Sequence, residues 1–161
     1  DGSQVTRAAD VCVVNTLSPW YNASEGALFA DCSLLFAEIG TTNQHAAALS
    51  DGSFNNYLAF RKQSDGRMRA QSIVGGAIQF NADIGAAVTN ARAAMSYKLN
   101  DFAASLNGGP AVLDAVGTVP LVNTLTIGWL PGAGQYLNGH IRSIQYFPRR
   151  LSNAELQQVT A

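Results

Sequence analysis

The chain has 161 residues, 47% of them apolar and 13% charged, with a formal net charge of −1. That length fits one domain with a real core, and the near-neutral charge argues against nucleic acid, whose backbone calls for a basic face. With so few charges the surface must be built largely from Asn, Gln, Ser, Thr and Gly, and no apolar run is long enough to span a bilayer as a helix.

Short apolar and period-two runs then follow one another along the chain. "DVCVVN" (10–15), "GALFADCSLLF" (26–36), "AAALS" (46–50), "NYLAFRKQ" (56–63), "MRAQSIV" (68–74) and "AIQFNAD" (77–83) read as strands, as do "RAAMSYKL" (92–99), "DFAASL" (101–106), "TLTIGWL" (124–130) and "GHIRSIQYF" (139–147). Turn signals separate them: "SDGSFNN" (50–56), "SDGR" (64–67), "GG" (75–76) and "LNGGP" (106–110), where Asn107-Gly108 is a strong hairpin signal. Many strands, regular turns and one late helix predict an all-β antiparallel two-sheet sandwich over 1–161 as a single domain. Because the chain starts at Asp1 rather than Met, it reads as excised from a longer protein.

The last segment, "YLNGHIRSIQYFPRRLSNAEL" (136–156), carries the sharpest local signals. Ile141 and Ile144 are three apart, so a bulge near Arg142–Ser143 is needed to send both into the core. Pro148 cannot donate to a ladder and ends the strand. Ser152 and Glu155 form a capping box, and Leu151 and Leu156 sit where a hydrophobic staple needs them, which predicts a short helix from about Asn153.

This segment resembles the closing motif of laminin-G-like domains in the concanavalin A-like lectin/glucanase superfamily, through Asn138, Gly139, Ile141, Ile144, Arg149, Leu151, Ser152 and Glu155. "YKLNDFAASLNGG" (97–109) is similar to a hairpin of the same family. From "TRAADV" (6–11) through "SDGSFNN" to the closing motif, the chain also resembles domains of this family at the C-terminal ends of bacteriophage tail fibre and tail proteins. The resemblance implies a concanavalin A-like jelly roll with one C-terminal helix. It further implies a carbohydrate- or receptor-binding module in a virion tail, or otherwise extracellular. The partner would be a bacterial surface glycan or another host receptor, and the parent fibre would be a homotrimer. Two alternatives stand beside it: a structural domain that trimerises or caps a fibre, and a remnant glycoside hydrolase. The family's acidic pair is replaced here by Arg142 and Ser143, which removes its calcium role from that strand.

Catalysis finds little support. Hydrolases on this sandwich carry several carboxylates on one strand, whereas Glu25, Glu38 and Glu155 are scattered, and Glu155 is already used in the cap. His45 and His140 lack a nucleophile elbow. The expectation is therefore a protein that is not an enzyme and needs no cofactor, although Asp51, Ser53, Asn55 and Asn56 offer hard oxygens for a weak calcium site. Cys12 and Cys32 either bond across strands or pack as small thiols; a domain of this size needs no staple, which favours the second. "NAS" at 22–24 matches a glycosylation sequon and occurs often by chance.

A sugar calls for a flat aromatic ring and planar amides or acids. Trp129 and Tyr136 bracket the glycine-containing "LPGAGQ" (130–135), read as a flexible rim loop. The predicted ligand site joins Trp129, Tyr136 and Asn138 with Asp51, Asn55 and Asn56 of a second loop, a mixture suited to a neutral saccharide.

Overall fold

The computed structural model describes residues 11–35 and 42–161. Glu38 and residues 6–10 of the N-terminal resemblance lie outside them. Thirteen strands and one helix run in chain order: β1 (Cys12–Val14), β2 (Glu25–Leu34), β3 (Gln44–Ser50), β4 (Tyr57–Lys62), β5 (Arg67–Val74), β6 (Ala77–Ala86), β7 (Asn90–Lys98), β8 (Phe102–Leu106), β9 (Val112–Asp114), β10 (Thr124–Ile127), β11 (Trp129–Leu130), β12 (Gln135–Tyr136), β13 (Gly139–Phe147) and α1 (Asn153–Thr160). Every pairing is antiparallel. One sheet has the order β1-β10-β3-β4-β5-β6, the other β13-β2-β7-β8-β9, and β11-β12 forms a separate small hairpin.

Alternation sends Leu58 and Phe60 of β4, Met68 and Ala70 of β5, and Phe80 and Ala82 of β6 inward to meet Leu28, Leu34, Met95 and Phe102 of the facing sheet. Phe80 and Phe102 stack across the gap with ring centroids 5.5 Å apart. Two strands break the simple alternation because both their faces are covered. In β2, Ala27 and Phe29 turn outward and meet Leu151 and Leu156 at the start of α1. In β3 every residue is buried: Ala47 and Leu49 face the core, while Ala48 faces Leu130 of β11. This is why these segments read as continuous apolar runs.

The closing motif has the predicted form. The β13–β2 register shifts between Ile141 and Ser143, and both Ile141 and Ile144 pack on the core. Ser152 caps α1: its Oγ accepts from the Glu155 amide at 3.3 Å, and the Ser152 amide donates to Glu155 Oε2 at 2.7 Å. Gly139 is required by close approach, since a side chain there would collide with the carbonyl of Ser33 on β2.

Three expectations change. The 130–135 stretch is no open loop: Trp129 pairs with Tyr136 and Leu130 with Gln135, because the positive-φ glycines Gly132 and Gly134 close a tight turn between them. β9 adds a strand beyond the apolar runs that mark the others, because it is only three residues long and lies at a sheet edge. Cys12 and Cys32 are both free, and Cys12 is exposed rather than packed in the core, since β1 is the edge strand of its sheet.

Candidate functional site

The outer face of the six-stranded sheet is where unusual chemistry collects. The hairpin turn at Asp65-Gly66 sets the register of β4 and β5, with the Gln63 amide donating to the Arg67 carbonyl at 2.8 Å and Gly66 at positive φ. That register places Arg61 opposite Arg69. The row continues to His45 on β3 and to Asp83 on β6. Four titratable residues thus lie side by side across four strands. Like charges directly opposite on one sheet face destabilise the pair, so the Arg61–Arg69 juxtaposition costs stability that neighbouring groups must offset.

They do so in part. Asp65 Oδ2 accepts from Arg69 Nη2 at 2.9 Å and from Gln63 Nε2 at 3.2 Å, while Gln63 Oε1 accepts from Arg61 Nη2 at 3.0 Å. Arg67 donates to Asp83 at 2.8 Å. Three arginines therefore share two carboxylates here, and Arg61 reaches a carboxylate only through a glutamine. The Nε atoms of Arg61 and Arg69 are buried without a partner among the described residues. Burial, reinforced by Arg69, pulls the Arg61 guanidinium below its usual value against the pull of Tyr57 and Asp65, but a guanidinium remains charged at any physiological pH.

The next rows add neutral groups. Tyr57 donates to Gln71 Oε1 at 2.5 Å, and Gln71 Nε2 lies 3.4 Å from Asn81 Oδ1. Burial pushes the Tyr57 hydroxyl up to about 12, with Arg61 acting against it, so it remains a donor. His45 has no exposed surface. Burial first, and then Arg61, hold its imidazole down at about 3, so it stays neutral, and both its ring nitrogens lack a partner among the described residues.

The β11-β12 hairpin lies along this same face. Its base is tied to β3 on either side of His45: the Gly128 amide donates to the Ala46 carbonyl at 2.8 Å, and the Asn138 amide to Gln44 Oε1 at 2.8 Å. Leu130 points down onto Ala48, Tyr57, Ala59 and Ile73. The partnering of Trp129 with Tyr136 puts those two rings on the opposite side of the hairpin, stacked with centroids 6.3 Å apart and planes 16° from parallel. Trp129 is half-buried and its Nε1 donates to the Cys12 carbonyl at 3.3 Å, while Tyr136 is 41% exposed.

The structure divides the six predicted site residues. Asn138 is tied to Gln44 at one end of β3, while Trp129, with Tyr136 opposite it in the hairpin, stands over the middle of that strand, where Thr126 Oγ1 donates to the carbonyls of both Ala48 and Trp129. Asp51, Asn55 and Asn56 lie beyond Ser50, at the other end of β3, and only the hairpin tip reaches them, through Gly132 against Phe54. Asp51 is engaged within its own turn, accepting from the Ser53 amide at 2.9 Å, Ser53 Oγ at 2.6 Å and Asn56 Nδ2 at 2.8 Å. Slight burial favours its protonated form, yet these donors outweigh it and hold the carboxyl below the usual range. Asn56 Oδ1 accepts from the Gly75 amide at 2.9 Å, and the Asn55 carbonyl from the Gly76 amide at 2.9 Å, so both residues tie two hairpin turns together.

Arg61, Arg69, Tyr57 and Gln71 were not among the predicted site residues. A signal existed: in "YLAFRKQSDGRMRAQ", Arg61 and Arg69 are equally spaced about Asp65, so a hairpin centred there must set them opposite one another. Elsewhere, His140 and Ser33 face each other across β13 and β2 at 3.5 Å, while nearby Asp31 pairs with Arg142 at 2.6 Å. Trp20 and Tyr21 pack on the core beside Tyr146, and Glu25 opens β2, 3.5 Å from Lys98.

No protein-family model matches the sequence, and no curated protein matches it. Solved structures do. The CBM40 carbohydrate-binding module of the Ruminococcus gnavus IT-sialidase, bound to α2,3-sialyllactose, superposes with a TM-score of 0.69 at 15% identity, over 87% of this chain and 84% of that one. The leech intramolecular trans-sialidase gives 0.68 at 15% identity, over 86% of this chain and 23% of that one. The NanB sialidase of Streptococcus pneumoniae gives 0.66 at 18% identity, over 91% and 26%. The fold is therefore a two-sheet antiparallel β-sandwich like that of these structures, and in the two whole sialidases the matched part is about a quarter of the chain.

Proposed function

We propose that this chain is a non-catalytic carbohydrate-binding module and that its ligand is an acidic sugar held on the outer face of the six-stranded sheet. The observation that carries the reading is the Arg61–Arg69 pair. A guanidinium fork matches a carboxylate in a bidentate way, and a half-desolvated guanidinium whose one hydrogen-bond partner among the described residues is a neutral amide is poised to accept one. An incoming carboxylate relieves the like-charge pair, which converts a folding cost into binding energy. Tyr57 and Gln71 stand beside it to meet hydroxyls, and the Trp129–Tyr136 stack, on the hairpin that runs along this face from Asn138 at its base, offers an apolar sugar face a platform. The sialyllactose bound to the R. gnavus module is a ligand of this chemical class. A sugar carboxylate, rather than the neutral saccharide expected from the residues of the predicted site, is thus the group this surface suits.

The setting we propose is the one implied by the resemblance along the whole chain, a homotrimeric phage tail fibre whose ends adsorb to acidic bacterial surface glycans. Weak single sites then gain avidity by repetition.

Isothermal titration with 3′-sialyllactose and with lactose tests the site. The acidic sugar should bind and lactose should not. Arg61→Ala should abolish binding without loss of melting temperature, and Trp129→Ala with Tyr136→Ala should weaken it. Equal binding of both sugars, or an Arg61→Ala variant that binds normally, refutes the proposal.

A further inference from the structure

The end of the sandwich near the 51–56 turn holds two open clefts. One, of about 420 Å³, is lined by Asp51, Asn56, Val74, Val119, Leu121, Val122 and Asn123. The other, of about 370 Å³, is lined by Asn15, Thr16, Leu17, Ser18, Pro19, Tyr21, Val122 and Asn123. Val122 and Asn123 line both, so the two clefts adjoin along that segment as the halves of a groove, each within the size range of small-ligand sites.

Its lining has a definite character. Asp51 is the single charged residue, and its carboxylate is consumed by Ser53 and Asn56. The side chains of Asn15, Thr16, Ser18 and Asn123 make no hydrogen bond to another of the described residues, although each is exposed and able to donate and accept. Between these polar groups run apolar surfaces that the core does not absorb: Leu121 is 81% exposed and stands at the lip. The walls are firm, because the 51–56 turn is stitched internally and to the 75–76 turn, and the Asn123 amide is tied to the Ser50 carbonyl at 2.9 Å.

We infer that this groove is a second binding site, for an extended neutral oligosaccharide. Uncommitted amides and hydroxyls meet sugar hydroxyls, apolar side chains meet the C–H faces of the rings, and no free charge favours an ion. Two joined clefts fit a chain of sugars better than a single ring. The site is separate from the arginine face: it lies beyond the opposite end of β3, and its residues are not those of the Arg61–Arg69 row.

The test is chemical-shift mapping of the isotope-labelled protein with maltohexaose and cellohexaose, with 3′-sialyllactose as a control for the arginine face. A neutral hexasaccharide should shift the amides of residues 15–21 and 119–123. Leu121→Asp, at a position that contributes little to the core, and Asn123→Trp, which fills the groove, should each weaken this binding roughly tenfold. Neither should affect sialyllactose, and Arg61→Ala should leave the hexasaccharide bound. If neither neutral probe moves these amides at millimolar concentration, the groove is not a glucan site and the inference fails. It also fails if the groove variants bind normally, or if Arg61→Ala abolishes the neutral ligand.

Discussion

His45 shows how one side chain can link the candidate site to stability. It is buried beside a guanidinium with neither ring nitrogen paired among the described residues, and its folded value of about 3 lies well below the ordinary 6.5. The unfolded chain takes up a proton as pH falls through 6.5, while the folded chain resists until about 3. Its contribution to stability is thus fully present above pH 6.5 and is lost progressively as pH falls through this window, at up to about 1.4 kcal/mol per pH unit. Urea unfolding at pH 7 and at pH 4.5 should show this loss. His45→Leu, close in volume and without a titrating group, should flatten the pH dependence and leave stability at pH 7 intact, because no hydrogen bond is given up. An unchanged pH profile in that variant would place the acid sensitivity in other groups.

At the scale of elements, the C-terminal helix and β13 are stabilised in different ways, and two small substitutions should separate them. Ser152→Ala removes one cap from an eight-residue helix and should cost about 1 kcal/mol. The loss is modest because the helix is also held by Leu151 and Leu156 in the cluster with Ala27 and Phe29. Gly139→Ala also changes one small side chain, but the new methyl meets the Ser33 backbone, which cannot swing aside as a side chain would. It should cost about 3 kcal/mol, the upper end of overpacking, and disturb the β13–β2 pairing. Thermal melts of the two variants rank the effects; equal losses would mean that β13 shifts freely at its first residue.

The whole molecule carries two kinds of surface, and ionic strength should tell them apart. The arginine face is partly open to water, so a carboxylate bound there is screened by salt. The groove has no free charge. Raising sodium chloride from low to molar concentration should weaken sialyllactose binding several-fold and leave hexasaccharide binding nearly unchanged. Titrations at two salt concentrations suffice. A salt-insensitive sialyllactose complex would mean that hydroxyl and ring contacts, rather than the guanidinium pair, hold the sugar.

Strand positions, the bulge at Arg142, the capping box and the staple are local properties, set by alternation, by proline and glycine geometry and by residues three or four apart. The sequence alone therefore determined them, and with them the two-sheet sandwich. Coverage of β3 on both faces could be sensed as an unbroken alanine run, but what covers it could not, because β11 and β12 are two residues each and gain their order only by packing Leu130 on a distant sheet. The grouping of functional side chains was also beyond local pattern. Trp129 and Asp51 look like partners when both are read as loop residues, yet Trp129 is a strand residue tied over the middle of β3, while Asp51 is engaged within its own turn beyond Ser50. His45, Arg61, Arg69 and Asp83 are spread over 39 positions of sequence and become one row only through the registers of three strand pairs. Register depends on every turn and bulge between the strands at once, and that sum is fixed only in the folded molecule.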